Sequence, residues 1–220
     1  MKIGIIGAGN IGANLVRRLT KAGHKVAVAN SREPETLSDL ADETGATPVR
    51  ADEAAEGAEV VIVTIPLGKV PELPAGILAG AAPGAVVVDT NNYYPQQRDG
   101  RIAEIEDEGL TESAWVSRQL GVPVVKAFNG IYAANLIDAA RPAGDPDRVA
   151  LPVAGDDEAA KSKIRALIDD IGFDAVDAGP ISESWRQQPG TPSYGQKLKP
   201  EELLRALGET DPERPPEFRG

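Results

Sequence analysis

The stretch Lys2-Ile3-Gly4-Ile5-Ile6-Gly7-Ala8-Gly9-Asn10-Ile11-Gly12 sets the architecture of this chain. A short apolar run of strand character enters a glycine cluster and leaves it as an amphipathic pattern from Ile11 to Ala22. The spacing G-x-G-x-x-G is weak on its own, because small residues are common. Between a strand and a helix it becomes the fingerprint of a dinucleotide-binding turn. Each glycine answers a separate demand. Gly7 permits the tight turn, Gly9 lets the backbone approach a pyrophosphate, and Gly12 lets the helix pack closely on the strand. The helix N-terminus then offers free N–H groups and the positive end of its dipole to phosphates. The bland alternative is a strand-turn-helix with no ligand.

The next strand, Lys25-Val26-Ala27-Val28-Ala29, ends in Asn30-Ser31-Arg32. Sites that prefer NAD usually place Asp or Glu there, to accept from the ribose 2′-OH. Arg32 instead can form paired charge-assisted bonds to a 2′-phosphate, and Ser31 can add a donor. No carboxylate intervenes before Glu33. The chemistry favours NADP(H). Ser31 and Arg32 are also suited to capping the next helix, and both roles can hold together.

The surrounding chain fits a nucleotide-binding enzyme. Its 220 residues can bury a substantial core, as one large domain or a nucleotide-binding domain with an appendage. No apolar run approaches the roughly 20 residues that span a bilayer, and no signal-peptide pattern opens the chain. With no cysteine, thiol catalysis and thiolate metal sites are excluded, and a cytoplasmic location is expected. A net charge of −11 disfavours nucleic acid and anionic membranes as partners.

Strand-like and helical patterns alternate. Val60–Ile65 and Ala85–Asp89 are near-continuous β-branched runs, suited to strands covered on both faces. Val122–Phe128 reads as a sixth strand, preceded by helix from Ile102 to Leu120 that Gly109 breaks. This alternation predicts an α/β fold, a doubly wound, mostly parallel Rossmann sheet over residues 1–130. A smaller C-terminal α/β section, 131–220, is expected to follow, and the resemblance given below implies that it completes an acceptor cleft. It holds strands near Ala150–Gly155 and Asp174–Ala178 around a helix that Asp156-Asp157 cap. It could extend the main sheet or form a small lobe. The tail from Pro212 is expected to fray.

Loops at the carboxyl ends of the strands face the ligand in such folds. They contain Thr64-Ile65-Pro66, Asn91-Asn92, and Asn129-Gly130-Ile131. These are candidate contacts for nicotinamide and substrate, although Asn is also simply a good turn residue. Asn129, which abruptly ends an apolar strand, is the stronger candidate. His24, the sole histidine, reads as a solvated turn residue, so a His-Asp hydride-transfer dyad is not expected. A metal site is not expected either. No tyrosine has a lysine four residues on, as carbonyl reduction by a Tyr-x-x-x-Lys pair would need. Lys126 could donate a proton or pair with a carboxylate. A nicotinamide site with so little acid-base machinery suits a flavin or deazaflavin acceptor, which needs mainly alignment of two rings and exclusion of water.

Together these motifs resemble the NADPH-dependent coenzyme F420 reductases (F420:NADP oxidoreductases), in a bacterial-type branch. The matching segments are Ile3–Gly12, Asn30-Ser31-Arg32, Val63–Pro66, Val125–Asn129, Val153–Asp157 and Gly172–Pro180. The Gly-Asp-Asp and Asp-Ala-Gly-Pro pieces are more specific than the glycine loop. The resemblance implies NADP(H) held by Gly9, Asn10, Ile11, Ser31 and Arg32, with nicotinamide near Ile65, Pro66 and Asn129. It further implies a homodimer and a deazaflavin cleft between the two sections, with F420 or a flavin as acceptor. Residues 89–100 and 184–192 depart from the archaeal enzymes. Within the second departure, Trp185 could stack on an aromatic acceptor or serve as a core residue. Two other functions remain open: an NADPH-dependent reductase of a small imine or carbonyl, with Lys126 or a tyrosine as donor, and a non-catalytic NADP(H)-binding redox sensor.

Overall fold

The computed structural model describes all 220 residues. Six parallel strands form the main sheet in the order β3-β2-β1-β4-β5-β6. They are β1 (Lys2–Ile6), β2 (Lys25–Ala29), β3 (Thr47–Pro48), β4 (Val60–Val63), β5 (Val86–Asp89) and β6 (Val124–Lys126). This is the doubly wound order, whose reversal beside β1 opens a crevice at the carboxyl ends of the strands. Alternate β1 residues explain why its sequence is apolar from Ile3 to Ile6. Ile3 and Ile5 pack with Leu15, Val16 and Leu19 of α1 (Asn10–Lys21) on one face. Ile6 packs with Val61, Val63, Tyr93 and Trp115 on the other. Both faces are covered, as parallel strands require.

On the second face lie α3 (Ala103–Glu106) and α4 (Glu112–Leu120), the two expected helical pieces. Gly109, at φ +74°, falls between them. The remaining helix of the first half, α2 (Ser38–Thr44), connects β2 to the short β3.

The C-terminal section starts with α5 (Ala133–Asp138). A parallel pair, β7 (Ala150–Val153) and β8 (Asp174–Asp177), then flanks α6 (Glu158–Asp170). Asp157 caps α6, accepting from Ala159 N at 2.8 Å and Ala160 N at 3.2 Å. This pair neither joins the main sheet as a seventh parallel strand nor stands apart. Lys126 and Ala154 exchange both backbone hydrogen bonds as an antiparallel bridge. Leu151, Val153, Ile164, Leu167 and Phe173 share one apolar interior with Ile3, Ile5 and Leu15. A last helix, α7 (Pro200–Gly208), covers β7 and β8 through Leu203 and Leu207.

Two expectations need correction. His24 is not solvated: its side chain is 8% exposed, between the Met1 amine (3.3 Å) and Asp170 (3.3 Å). Burial, aided by the Met1 charge, lowers its pKa. The tail does not fray. Arg214 donates to Glu112 and Gln188, the Phe218 ring lies 6.1 Å from Tyr94, and Gly220 N donates to Glu106. The cause is a charge held in the interior, described below, that the tail helps to neutralise.

Candidate dinucleotide and acceptor sites

The glycine turn is built as its spacing requires. A methyl group on Gly12 would sit 2.0 Å from the Gly7 carbonyl oxygen, and one on Gly7 would sit 2.2 Å from Thr64 O. At Gly9 it would meet no protein atom within 4 Å. So Gly7 and Gly12 are small because the protein fills their space, whereas Gly9 faces open space. Gly9 is also the N-cap of α1, with no side-chain cap and no acidic residue in the first turn. The N–H groups of Asn10 and Ile11, beside exposed Asn10, lie in this uncapped turn. A phosphate at that position gains hydrogen bonds and a favourable dipole.

Beside the turn opens a cleft of about 840 Å³ lined by Gly7, Gly9, Asn30, Ser31, Arg32, Thr64, Ile65 and Pro66. Asn30 shapes its rim. Its Oδ1 accepts from Arg32 N at 2.8 Å and its Nδ2 donates to Thr36 Oγ1 at 3.0 Å, folding Ser31-Arg32 into an Asx turn. Ser31 and Arg32 are exposed. Unlike the other cations on this rim, the Arg32 guanidinium has no carboxylate partner. Arg50 stands 3.5 Å from Glu33 and 3.6 Å from Asp52, and Lys69 pairs with Glu72 at 2.7 Å. Neither Arg50 nor Lys69 was foreseen. Arg50 follows β3, whose two residues leave almost no periodicity to read. The donor set suits a dinucleotide with a phosphorylated ribose: glycine backbone for the pyrophosphate, Arg32 and Ser31 for the extra phosphate.

Polar residues are brought together at the ends of β5 and β6 as well. Asn129 follows Phe128, which is buried and holds φ +62°, the only non-glycine residue at positive φ. A bulky residue there carries strain that its surroundings must maintain. Asn129 is 3% exposed. Its Nδ2 donates to Asn92 Oδ1 (3.0 Å) and Gln187 O (2.6 Å), and its Oδ1 accepts from Gln187 Nε2 (2.9 Å). Asn92 Nδ2 returns a bond to Asn129 O at 2.9 Å. The amide of Asn129 is thus engaged within the protein, locking the β5 and β6 loops to the segment 181–187. Gln187 was not singled out in the sequence, since nothing local marks it. Gly130 has open space where a side chain would be, while Ile131 is a core residue.

Asn91 is 2% exposed, and neither atom of its amide has a partner. Its carbonyl accepts from Lys126 Nζ at 3.1 Å. Lys126 is fully buried and pairs with Glu112 at 3.2 Å. The lysine therefore has the partner carboxylate its strand position allowed. Arg214 holds the other Glu112 oxygen at 3.0 Å. Close by, Asp89 is fully buried, accepting from Ser113 Oγ and Asn91 N. Burial raises its pKa, against the opposing pull of Lys126 and Ser113. Trp185 lies elsewhere. Arg186 covers its ring at 4.3 Å, and it lines a separate cavity of about 510 Å³ with Leu110, Gln188 and Arg214. No residue of the β4, β5 or β6 end loops lines that cavity.

A family model described as NADP oxidoreductase, coenzyme F420-dependent, matches residues 2–93. The protein YjhV of Escherichia coli K12 is 49% identical over 66 residues, 30% of this chain and 48% of that protein. The chain spans about half the length of the curated relatives it matches: 48% of YjhV and 44% of a Pseudomonas aeruginosa 3-hydroxyisobutyrate dehydrogenase. Among solved structures, the hypothetical protein SMa0349 of Sinorhizobium meliloti is 32% identical at a TM-score of 0.74, over 90% of this chain and 95% of that one. A candidate F420-dependent NADP reductase of Arthrobacter sp. FB24 shares the fold at 24% identity and a TM-score of 0.68, over 84% and 87%. The likeness to coenzyme F420-dependent NADP oxidoreductases thus falls on residues 2–93, the part that holds the glycine turn and the Arg32 rim, while the likeness to SMa0349 runs along nearly the whole chain.

Proposed function

We propose that this chain is an NADP(H)-dependent oxidoreductase that moves hydride between NADPH and a flavin-like acceptor, with coenzyme F420 as first choice. The observation that supports it most is the cleft in which Gly9 faces open space and Arg32 presents an unpaired guanidinium. NADPH would supply the hydride, and the acceptor would also take up one proton to balance its reduction. The protein's own tasks are then few. Gly7, Gly9 and the first turn of α1, with Asn10, Ile11 and Gly12, hold the pyrophosphate. Asn30 orders the rim, and Ser31 and Arg32 hold the 2′-phosphate. Thr64, Ile65 and Pro66 wall the nicotinamide end. Asn129 keeps the β5 and β6 loops in register, so two rings can meet at contact distance while water is excluded.

Reduction of a small carbonyl or imine would need a proton donor at the cleft. Lys126 is enclosed by Glu112 and Asn91, so it supports that reading less well, and a tyrosine would have to donate in its place. A cytoplasmic homodimer belongs to the same proposal.

The test is to mix the purified protein with NADPH and, in turn, F420, FMN and a panel of carbonyls and imines, following NADPH loss and acceptor absorbance anaerobically. We expect turnover with F420 or FMN. Turnover with the carbonyl panel alone would overturn the flavin-like acceptor. Tight NADPH binding without any turnover would make the chain a sensor.

A further inference from the structure

Three tyrosines that the cofactor does not use converge beside the ends of β5 and β6. The hydroxyls of Tyr94 and Tyr194 are 2.5 Å apart, although 100 residues separate them. Asn92 Nδ2, already bonded to Asn129 O, stands 3.4 Å from the Tyr194 hydroxyl. Tyr132 meets Tyr194 edge to face, with ring centroids 6.3 Å apart. Tyr132 is 55% exposed, with its hydroxyl end packed against the chain. Its ring lies so close to Gly195 that a methyl group there would be 2.5 Å from the hydroxyl. Gly195 in turn is fastened to the β6 loop, N to Gly130 O, at 2.8 Å. A large aromatic ring is therefore packed at one end with much of it bare.

A second device ties this group to the cofactor cleft. The carboxylate of Asp99, with no exposed side-chain surface, accepts from Gly68 N at 3.0 Å and from Tyr94 N at 2.7 Å. Gly68 is two residues beyond Pro66, on the nicotinamide wall. So Asp99 fixes the loop that carries Tyr94 to the loop that walls the cleft. Arg98 adds a cation. Its guanidinium lies 4.9 Å from the Tyr94 ring centroid, its Nη2 donates to Asn92 O, its Nε stands 3.4 Å from Asp99, and its side chain is 43% exposed.

We propose that Tyr132, Tyr94 and Tyr194, with Arg98 at their edge, form the subsite for the electron acceptor, and that this acceptor is a planar conjugated ring carrying an anionic tail. The proposal rests on the hydride-transfer reading above and names its second substrate's site. Each side chain has a distinct task. Tyr132 offers the face on which the ring stacks, as aromatic rings do in offset or edge-on pairs. The Tyr94–Tyr194 hydroxyl pair offers a hydrogen-bonding edge for the ring's carbonyl and nitrogen atoms. Burial raises the pKa of both tyrosines, so both keep their protons at neutral pH; one proton is spent within the pair, and the other hydroxyl can donate to the ring. Arg98 meets the negative charge of the tail.

Deazaflavin and flavin nucleotides share this chemistry, and the experiment separates them. Binding of F420, FMN and riboflavin to the NADP⁺-loaded protein is measured by the quenching of ligand fluorescence, alongside steady-state KM values wherever turnover occurs. Tyr132→Ala should weaken the preferred ring by roughly tenfold, and Tyr194→Phe by roughly threefold, as the loss of one stacking face and one hydrogen bond predicts. NADPH affinity should stay within about twofold in both, which also shows that the variants fold. Arg98→Ala should weaken F420 or FMN but not riboflavin, which lacks the anionic tail. If wild type binds one of these rings and Tyr132→Ala loses it, the subsite stands even where no hydride moves. If hydride transfer proceeds with an unchanged KM in Tyr132→Ala and Tyr194→Phe, the subsite is wrong while the transfer reading survives. Failure of all three rings to bind the NADP⁺-loaded protein would also overturn it.

Discussion

The dinucleotide cleft and the cluster proposed as the acceptor side are built by different means. On the cofactor side the working parts are contiguous in the chain: Gly7 to Gly12, then Asn30 to Arg32. They act largely through backbone, and their side chains are small or exposed. On the acceptor side the parts come from far apart. Asn92 meets Asn129 across 37 residues, Asn129 meets Gln187 across 58, and Tyr94 meets Tyr194 across 100. These act through buried side-chain amides and hydroxyls. A binding surface made of backbone needs only a local fold, whereas one made of side chains depends on the whole interior that holds it. Substitutions at open positions such as Gly9 and Arg32 should therefore separate binding from stability, whereas those at the buried amides should register first in stability.

The sharpest break in that interior is expected at Glu112, whose carboxylate lies between Lys126 and Arg214. Glu112→Ala leaves a fully buried ammonium unpaired and removes the anchor of the tail. We expect a loss of about 3–5 kcal/mol in stability, seen as a fall in Tm of about 10 °C for a chain of this size. A loss under about 1 kcal/mol would mean that the buried charges rearrange or neutralise.

Within the glycine turn, two substitutions of equal size should behave oppositely. Gly12→Ala places a methyl group against the Gly7 carbonyl, and should cost about 1–3 kcal/mol and NADPH binding with it. Gly9→Ala meets no protein atom, so thermal stability should change by less than about 0.5 kcal/mol. NADPH affinity should nevertheless fall by about tenfold or more, because the methyl group occupies the place of the pyrophosphate. Unchanged affinity in Gly9→Ala would move the pyrophosphate elsewhere.

Asn129→Ala probes the boundary between the two sides. It strips partners from Asn92 and Gln187, and should cost about 1–3 kcal/mol in denaturant unfolding. NADPH affinity should hardly move if Asn129 serves only to lock the loops. A selective loss of NADPH affinity at unchanged stability would put its amide in direct contact with the nicotinamide.

The smallest effect is at His24. Its folded-state pKa is lowered, so the unfolded chain binds the proton more readily. Stability is then full above the unfolded value near 6.5 and falls as pH drops through it towards the folded pKa. His24→Gln should flatten the dependence of Tm on pH between about 7 and 5. A slope unaltered by the substitution would assign it to other groups.

The same contrast explains what could be read from the chain. The doubly wound sheet, the glycine turn and the Asn30–Arg32 rim follow from periodicity and from demands that only certain residues meet, so they were legible. Gly109 and Asp157 announced a break and a cap in the same local way. His24 and the tail were misread because their partners, Asp170 and Glu112, lie 146 and 102 residues away. Gln187 and Asp99 carry no local signal, since amides and carboxylates are common in turns. The pairing of Tyr94 with Tyr194 appears only when the chain is folded. Trp185 has a chemistry that suits acceptor stacking and core packing alike, and only the fold sets it against Arg186 and the tail cavity.

The central claim, that the cleft takes a 2′-phosphorylated dinucleotide through Arg32, is open to one direct measurement. Titration calorimetry of NADPH and NADH into wild type and Arg32→Ala gives four affinities. The account predicts that wild type binds NADPH at least about tenfold more tightly than NADH, and that Arg32→Ala removes most of that preference while leaving NADH binding nearly unchanged. Equal affinities for the two cofactors in wild type, or equal losses for both in the variant, would contradict it.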